Sequence, residues 1–99
     1  MANLYNYITL AAPTTTTVCA KPCILSGITV NKAAANGVIT IYDGVSVAAG
    51  TVIAIHTAPA TLLQNHYSVS YFDVCLKKGL TITTSAAAQD LTVAYRPSA

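Results

Sequence analysis

The chain has no tryptophan and no glutamate, and its acids are three aspartates, Asp43, Asp73 and Asp90. Charged residues of every kind make up 8% of its 99 residues, against roughly 25% in an ordinary soluble domain. So few ionic groups exclude a charge-extended disordered chain, and a mean hydropathy of +0.55 excludes one too polar to collapse. The formal charge is +2, with Lys21, Lys32, Lys77, Lys78 and Arg96 scattered along the sequence. That is too weak an electrostatic footprint for nucleic acid or an acidic membrane surface, and neither is expected as a partner. Lys77 and Lys78 alone are adjacent, and they read as a solvated turn rather than a phosphate site.

Long hydrophobic runs are also missing. Nothing approaches the roughly 18 apolar residues of a membrane span. The start, "MANLYNYITL", lacks a basic segment followed by an unbroken apolar one, so it does not read as a secretory signal. A chain made and assembled in the cytoplasm is expected. Cysteines are few: Cys19, Cys23 and Cys75. An odd number without a leader favours free, buried thiols over a disulfide framework. Cys19 and Cys23 have a second option, pairing across Ala20-Lys21-Pro22. A zinc site built from them with His56 or His66 lacks the second half of the usual ligand spacing. No metal and no cofactor is expected.

What is present is alternation of period two. "NGVITIYDG", Asn36 to Gly44, has β-branched and aromatic residues between two pairs, Asn36-Gly37 and Asp43-Gly44, that favour tight hairpins. Ile28 and Val30, Ile39 and Ile41, Ile53 and Ile55, Leu80 and Ile82, and Leu91, Val93 and Tyr95 form further alternating sets. Such sets predict a core side for each strand. Turns are expected at 32–37, 43–50, 57–65, 77–79 and 85–90. The alanine triplets at 33–35 and 86–88 are too short to repay helix nucleation, and 57–66 is the best place for a short helical turn. The fold class is all-β: an antiparallel sandwich or barrel of about seven or eight short strands.

One stretch changes phase. In "YSVSYFDVCL", 67–76, the large residues are Tyr67, Val69 and Tyr71, then Phe72, Val74 and Leu76. A β-bulge at Tyr71-Phe72, or a strand passing between sheets, accounts for the switch; a strand buried on both sides is the alternative. A single sandwich domain is expected over 21–99. Residues 1–20 are expected to form an N-terminal arm or edge strand, with Thr14 to Thr17 as an extended linker. Deleting Ala2 to Leu10 should then weaken attachment to a neighbour without unfolding the body.

The sides of the strands away from the expected core hold Thr29, Thr40, Val52, Ala54, Thr81, Thr83, Thr92 and Ala94. A solvent-facing sheet ordinarily carries Lys, Glu or Arg, which also deter edge-to-edge association. Neutral faces point to coverage by another subunit, although threonine is a good strand former that tolerates water. The expected interface residues are Leu4, Tyr5, Tyr7 and Ile8 in the arm, with Thr40, Tyr42, Thr81 and Thr83 on the sheet faces. Of the six tyrosines, Tyr42, Tyr67, Tyr71 and Tyr95 suit core or interface positions with their hydroxyls at a rim.

Chemistry is thinly supplied. Cys75, His66 and Asp73 together offer a nucleophile, a base and an acid, but no motif surrounds the cysteine and no oxyanion hole is evident. Asp43 and Asp90 are expected at turns. The five glycines are isolated rather than grouped in a phosphate-cradling loop. No enzyme is expected.

The run from "SGITVNKAAANGVITIYDG" through "AAGTVIAIHT" to "GLTITTSAAAQDLTVAYRP", Ser26 to Pro97, resembles small virion structural proteins of tailed bacteriophages. The resemblance rests on strand pattern and turn chemistry. It implies a β-sandwich of jelly-roll type, commonly trimeric. It further implies a capsid cement (decoration) protein bound across joints of the major capsid protein, located in the virion. A receptor- or glycan-binding tail or fibre module is the alternative. No site residues transfer with the resemblance.

Overall fold

The computed structural model describes residues 6–11, 14–58, 61, 67–85 and 89–97. Each alternating stretch is a strand: β1 (Asn6–Ala11), β2 (Thr14–Cys19), β3 (Cys23–Lys32), β4 (Val38–Asp43), β5 (Thr51–Thr57), β6 (Tyr67–Leu76), β7 (Leu80–Thr84) and β8 (Asp90–Pro97). They form two antiparallel four-stranded sheets, in the orders β1-β8-β3-β6 and β2-β7-β4-β5. The pairs β1–β8, β2–β7, β3–β6 and β4–β5 are those of one long hairpin rolled upon itself. That winding is the jelly roll.

Of the two readings of the N-terminal segment, arm or edge strand, the described residues take the second. Asn6–Ala11 pairs with β8 along one sheet edge, from Asn6 opposite Tyr95 to Ala11 opposite Asp90. Thr14 to Thr17, expected as a linker, is the body of β2 and pairs with β7. A run of four threonines is rich in χ1-restricted side chains that suit a pleated edge, and sequence pattern alone did not distinguish an unpaired extended chain from a paired one. Removing residues 2–10 would therefore strip a strand from the sandwich.

The core forms where the sheets face each other. Leu25, Ile28, Val30, Leu91 and Val93 from one sheet meet Ile39, Ile41, Leu80 and Ile82 from the other, all essentially sealed from solvent. Cys19, Cys23, Leu76 and Ala33 extend the same cluster. At about 1.5–3 kcal/mol for each large aliphatic side chain buried, this cluster is the main favourable contribution to folding.

The phase switch in β6 is a bulge. Leu25 pairs with Val74 but Gly27 pairs with Ser70, so Tyr71, Phe72 and Asp73 stand opposite Ser26 alone. Asp73 takes φ 60 there, a conformation that aspartate tolerates better than most residues. Against β8 the extra residue is Ser26 itself, since Leu25 pairs with Tyr95 and Gly27 with Ala94. The kink lets β3 bury Cys23 and Leu25 at one end and Ile28 and Val30 at the other.

The largest departure from expectation is β5. Ile53 and Ile55 were assigned to the core, yet they are 39% and 60% exposed, while Ala54 packs against the core cluster. The cause is the register. Ile39 and Ile41 point inward, and they pair with His56 and Ala54; Ile53 is the extra residue of a bulge between the Ile41 and Tyr42 positions. On the inner side Tyr71 fills the space, its ring meeting His56 edge-on with centroids 6.0 Å apart.

Candidate functional site

The outer face of the β2-β7-β4-β5 sheet collects the neutral residues. Its register gives one row of Thr15, Thr83, Thr40 and Ile55, and a second of Thr17, Thr81, Tyr42 and Val52. Neither row contains a charged residue. Beside them Val45 and Val47, in the β4–β5 loop, are also exposed. With Val52, Ile53 and Ile55 they make an apolar surface along the β5 edge, the kind of feature that marks a contact site.

The β4–β5 loop, residues 44–50, is folded back onto this face by identifiable bonds. Gly44 N–H donates to the Gly79 carbonyl at 3.1 Å. The Thr17 hydroxyl donates to the Val45 carbonyl at 3.0 Å, and the Thr81 hydroxyl to the Gly44 carbonyl at 2.9 Å. Ala49 N–H donates to Ser46 Oγ at 3.1 Å, closing the loop's own turn. The valines are thus held outward by a tethered backbone.

Asp43 secures the neighbouring turn. Its carboxylate accepts from Lys77 N–H at 3.1 Å and from Lys78 N–H at 2.9 Å. Burial pushes its pKa up, but the backbone donors of Lys78, Lys77 and Gly79 and the Lys78 charge outweigh that, and the net shift is downward. Asp43 does sit at a turn, as expected. The turn it stabilises is β6–β7 rather than a two-residue hairpin of its own.

His56 hydrogen-bonds the Tyr71 hydroxyl and bridges the edges of the two sheets. Desolvation lowers its pKa below the usual value near 6.5. Protonation is therefore easier in the unfolded chain than in the folded one. Stability is expected to be complete above about pH 6.5 and to fall as pH drops from there through the depressed folded value. Thermal midpoints measured between about pH 7.5 and 5 should show this decline, and His56→Phe should flatten it.

The expected interface residues divide. Thr40, Tyr42 and Thr83 lie part-exposed on the neutral face. Thr81 does not serve a partner, because it is fully buried under the β4–β5 loop with its hydroxyl bonded internally. Register places Tyr7 opposite Ala94 and Ile8 opposite Val93 on the far sheet. Leu4 and Tyr5 lie outside the described residues, as do His66 and most of the 57–66 stretch. Ala54, expected outside, faces the core.

Cys19 and Cys23 are free and buried, whereas Cys75 is exposed. Among the described residues no three His, Cys, Asp or Glu side chains converge as a metal cluster. The residues that sequence reasoning missed are Val45, Val47, Ile53 and Ile55. The only signal available was that β5 carries neither Lys nor Pro, the usual guards of an edge. No protein-family model, no curated protein and no solved structure matches this chain.

Proposed function

We propose that this chain is a structural virion protein, a capsid cement (decoration) protein that associates with itself as a homotrimer and clasps joints between major capsid subunits. The observation that carries the proposal is the inverted edge strand β5, with Val52, Ile53 and Ile55 turned outward beside Val45 and Val47. Exposed aliphatic area of this kind is tolerable when a neighbour covers it, and each copy's contact can be modest when many copies act on one lattice. The uncharged rows beside β5 and the jelly-roll winding, an architecture that also builds viral capsid domains, support the same reading. So does the resemblance of Ser26 to Pro97 to phage structural proteins.

The direct test is Ile55→Lys. A lysine there places a charge in the covered surface, and association should weaken at least tenfold (about 1.4 kcal/mol) with the far-ultraviolet circular dichroism unchanged. Sedimentation velocity at micromolar concentration, with occupancy on purified shells, reads the outcome. A wild-type chain that sediments as a monomer and leaves shells bare would remove the proposal.

A second reading has one observation in its favour. Ser26, Thr29, Ser68 and Ser70 line an open depression of about 260 Å³ on the outer face of the β1-β8-β3-β6 sheet. Its hydroxyls could meet those of a sugar, as a glycan-binding tail or fibre module would require. Among the described residues its lining offers no aromatic platform and no acidic partner of the kind such sites ordinarily use, so the cement reading is preferred. Electron microscopy separates the two by location, at capsid joints or at the tail tip.

A further inference from the structure

Cys19 closes β2 in one sheet and Cys23 opens β3 in the other. Ala20, Lys21 and Pro22 separate them in a bend that is wholly exposed. Cys19 pairs with Leu80 and Cys23 with Leu76, and those leucines flank the Lys77-Lys78-Gly79 turn. Two sheet-to-sheet crossings therefore run side by side and bring both sulfurs to the same end of one core cluster. The Cys19 thiol donates back across its bend to the Lys21 carbonyl at 3.4 Å, and the Cys23 thiol has the Cys19 thiol as its hydrogen-bonding neighbour.

We propose that Cys19 and Cys23 are a redox clasp, which a low-molecular-weight disulfide such as oxidised glutathione closes into an intramolecular disulfide stapling edge strand β2 to central strand β3. The steps balance. The Cys19 thiolate, the less buried of the two, attacks the small disulfide and releases one reduced thiol. The Cys23 sulfur then displaces the second thiol from the mixed disulfide. Two protein thiols are oxidised, one small disulfide is reduced to two thiols, and the two protons given up by the protein end on those released thiols.

Burial first, and then the neighbouring Cys19, push the Cys23 thiol up to about 12. Once Cys19 is held in the mixed disulfide its charge no longer acts, but burial, the largest cause, still disfavours the Cys23 thiolate, so the second step is slow and the clasp stays open through brief exposure. The consequence is structural. β2 is held within its sheet by β7 alone, and a covalent link to β3 would keep that edge from peeling. This inference stands on the two cysteines and does not depend on the assembly proposal.

The test uses the full chain carrying Cys75→Ser, which removes the exposed thiol without touching the core. After prolonged incubation with oxidised glutathione at about pH 8, intact mass should fall by about 2 Da as two hydrogens are lost. Peptide mapping should place the bridge between residues 19 and 23. The thermal midpoint should rise by several degrees and return on reduction. A chain that retains both thiols, or that stops at a stable glutathione adduct, would overturn the clasp. A bridged chain that melts no higher would overturn the staple.

Discussion

Ile41→Ala is expected to lower the unfolding free energy by about 2–5 kcal/mol, the range for deleting a large aliphatic side chain from a packed interior. Ile41 is fully buried at the centre of the facing sheets, between Ala54 on β5 and Ile82 on β7. A chain this short has a total stability of about 5–15 kcal/mol, so the loss removes a large share of it. Ile55→Ala, the same chemical change on the adjacent strand, should cost a dilute monomer no more than about 0.5 kcal/mol, because Ile55 is 60% exposed. Urea unfolding at submicromolar concentration keeps association out of the comparison. Equal losses at the two positions would mean that β5 packs with its isoleucines inward.

Gly27→Ala should be the more surprising loss, since alanine is ordinarily tolerated in a strand better than glycine. A Cβ at Gly27 would stand 2.5 Å from the Val69 carbonyl oxygen. That oxygen belongs to the backbone of β6 and cannot rotate away. The two strands approach this closely beside the bulge opposite Ser26, so relief requires the β3–β6 ladder to shift. A net destabilisation of about 1–3 kcal/mol is expected, after the smaller gain of about 0.4–1 kcal/mol from stiffening the unfolded chain. Hydrogen exchange should accelerate at amides of β3 and β6 and remain as before in β4 and β7. An unchanged or raised midpoint would show that the strands are not so tightly apposed.

The two substitutions also mark how far the sequence could be read. Ile39, Ile41, Leu80, Ile82, Leu91 and Val93 were assignable to the core because strands of period two, flanked by turns, have one apolar side. The phase change at Tyr71-Phe72 was legible, but it fitted a bulge, a crossing between sheets or a strand buried on both sides, and only the pairing with β3 selected the bulge. The glycine contact at Gly27 was not legible, because it depends on which strand lies alongside. The same holds for Asn36, which takes the φ of 60 that its turn pair suggests. Its turn closes with Gly37 N–H donating to the Ala34 carbonyl at 2.8 Å, but it carries the chain from one sheet to the other rather than around a hairpin.

The neutral face was half legible. Its lack of charge is a property of residue types, and Thr40, Tyr42 and Thr83 lie where alternation puts them. Thr81 shares their side of the sheet but is covered, because the β4–β5 loop returns over it. Such a return is invisible in a window of nearby residues.

Residue types along the chain were enough to determine an all-β molecule, the spans of β3, β4, β5, β7 and β8 to within a few residues, and most of the buried set. These depend on φ/ψ preference and on alternation, which act over a few neighbouring residues. Tertiary structure decided between arm and edge strand for β1, made a paired strand of β2 where a linker was expected, made β4–β5 the one connection between neighbours in a sheet, and turned the isoleucines of β5 to solvent. The physical reason is that a strand's two sides are equivalent until a partner is fixed. The register with β4, in which the inward Ile39 and Ile41 pair with His56 and Ala54, settled which side of β5 faces the interior, and that register is not written in β5's own alternation.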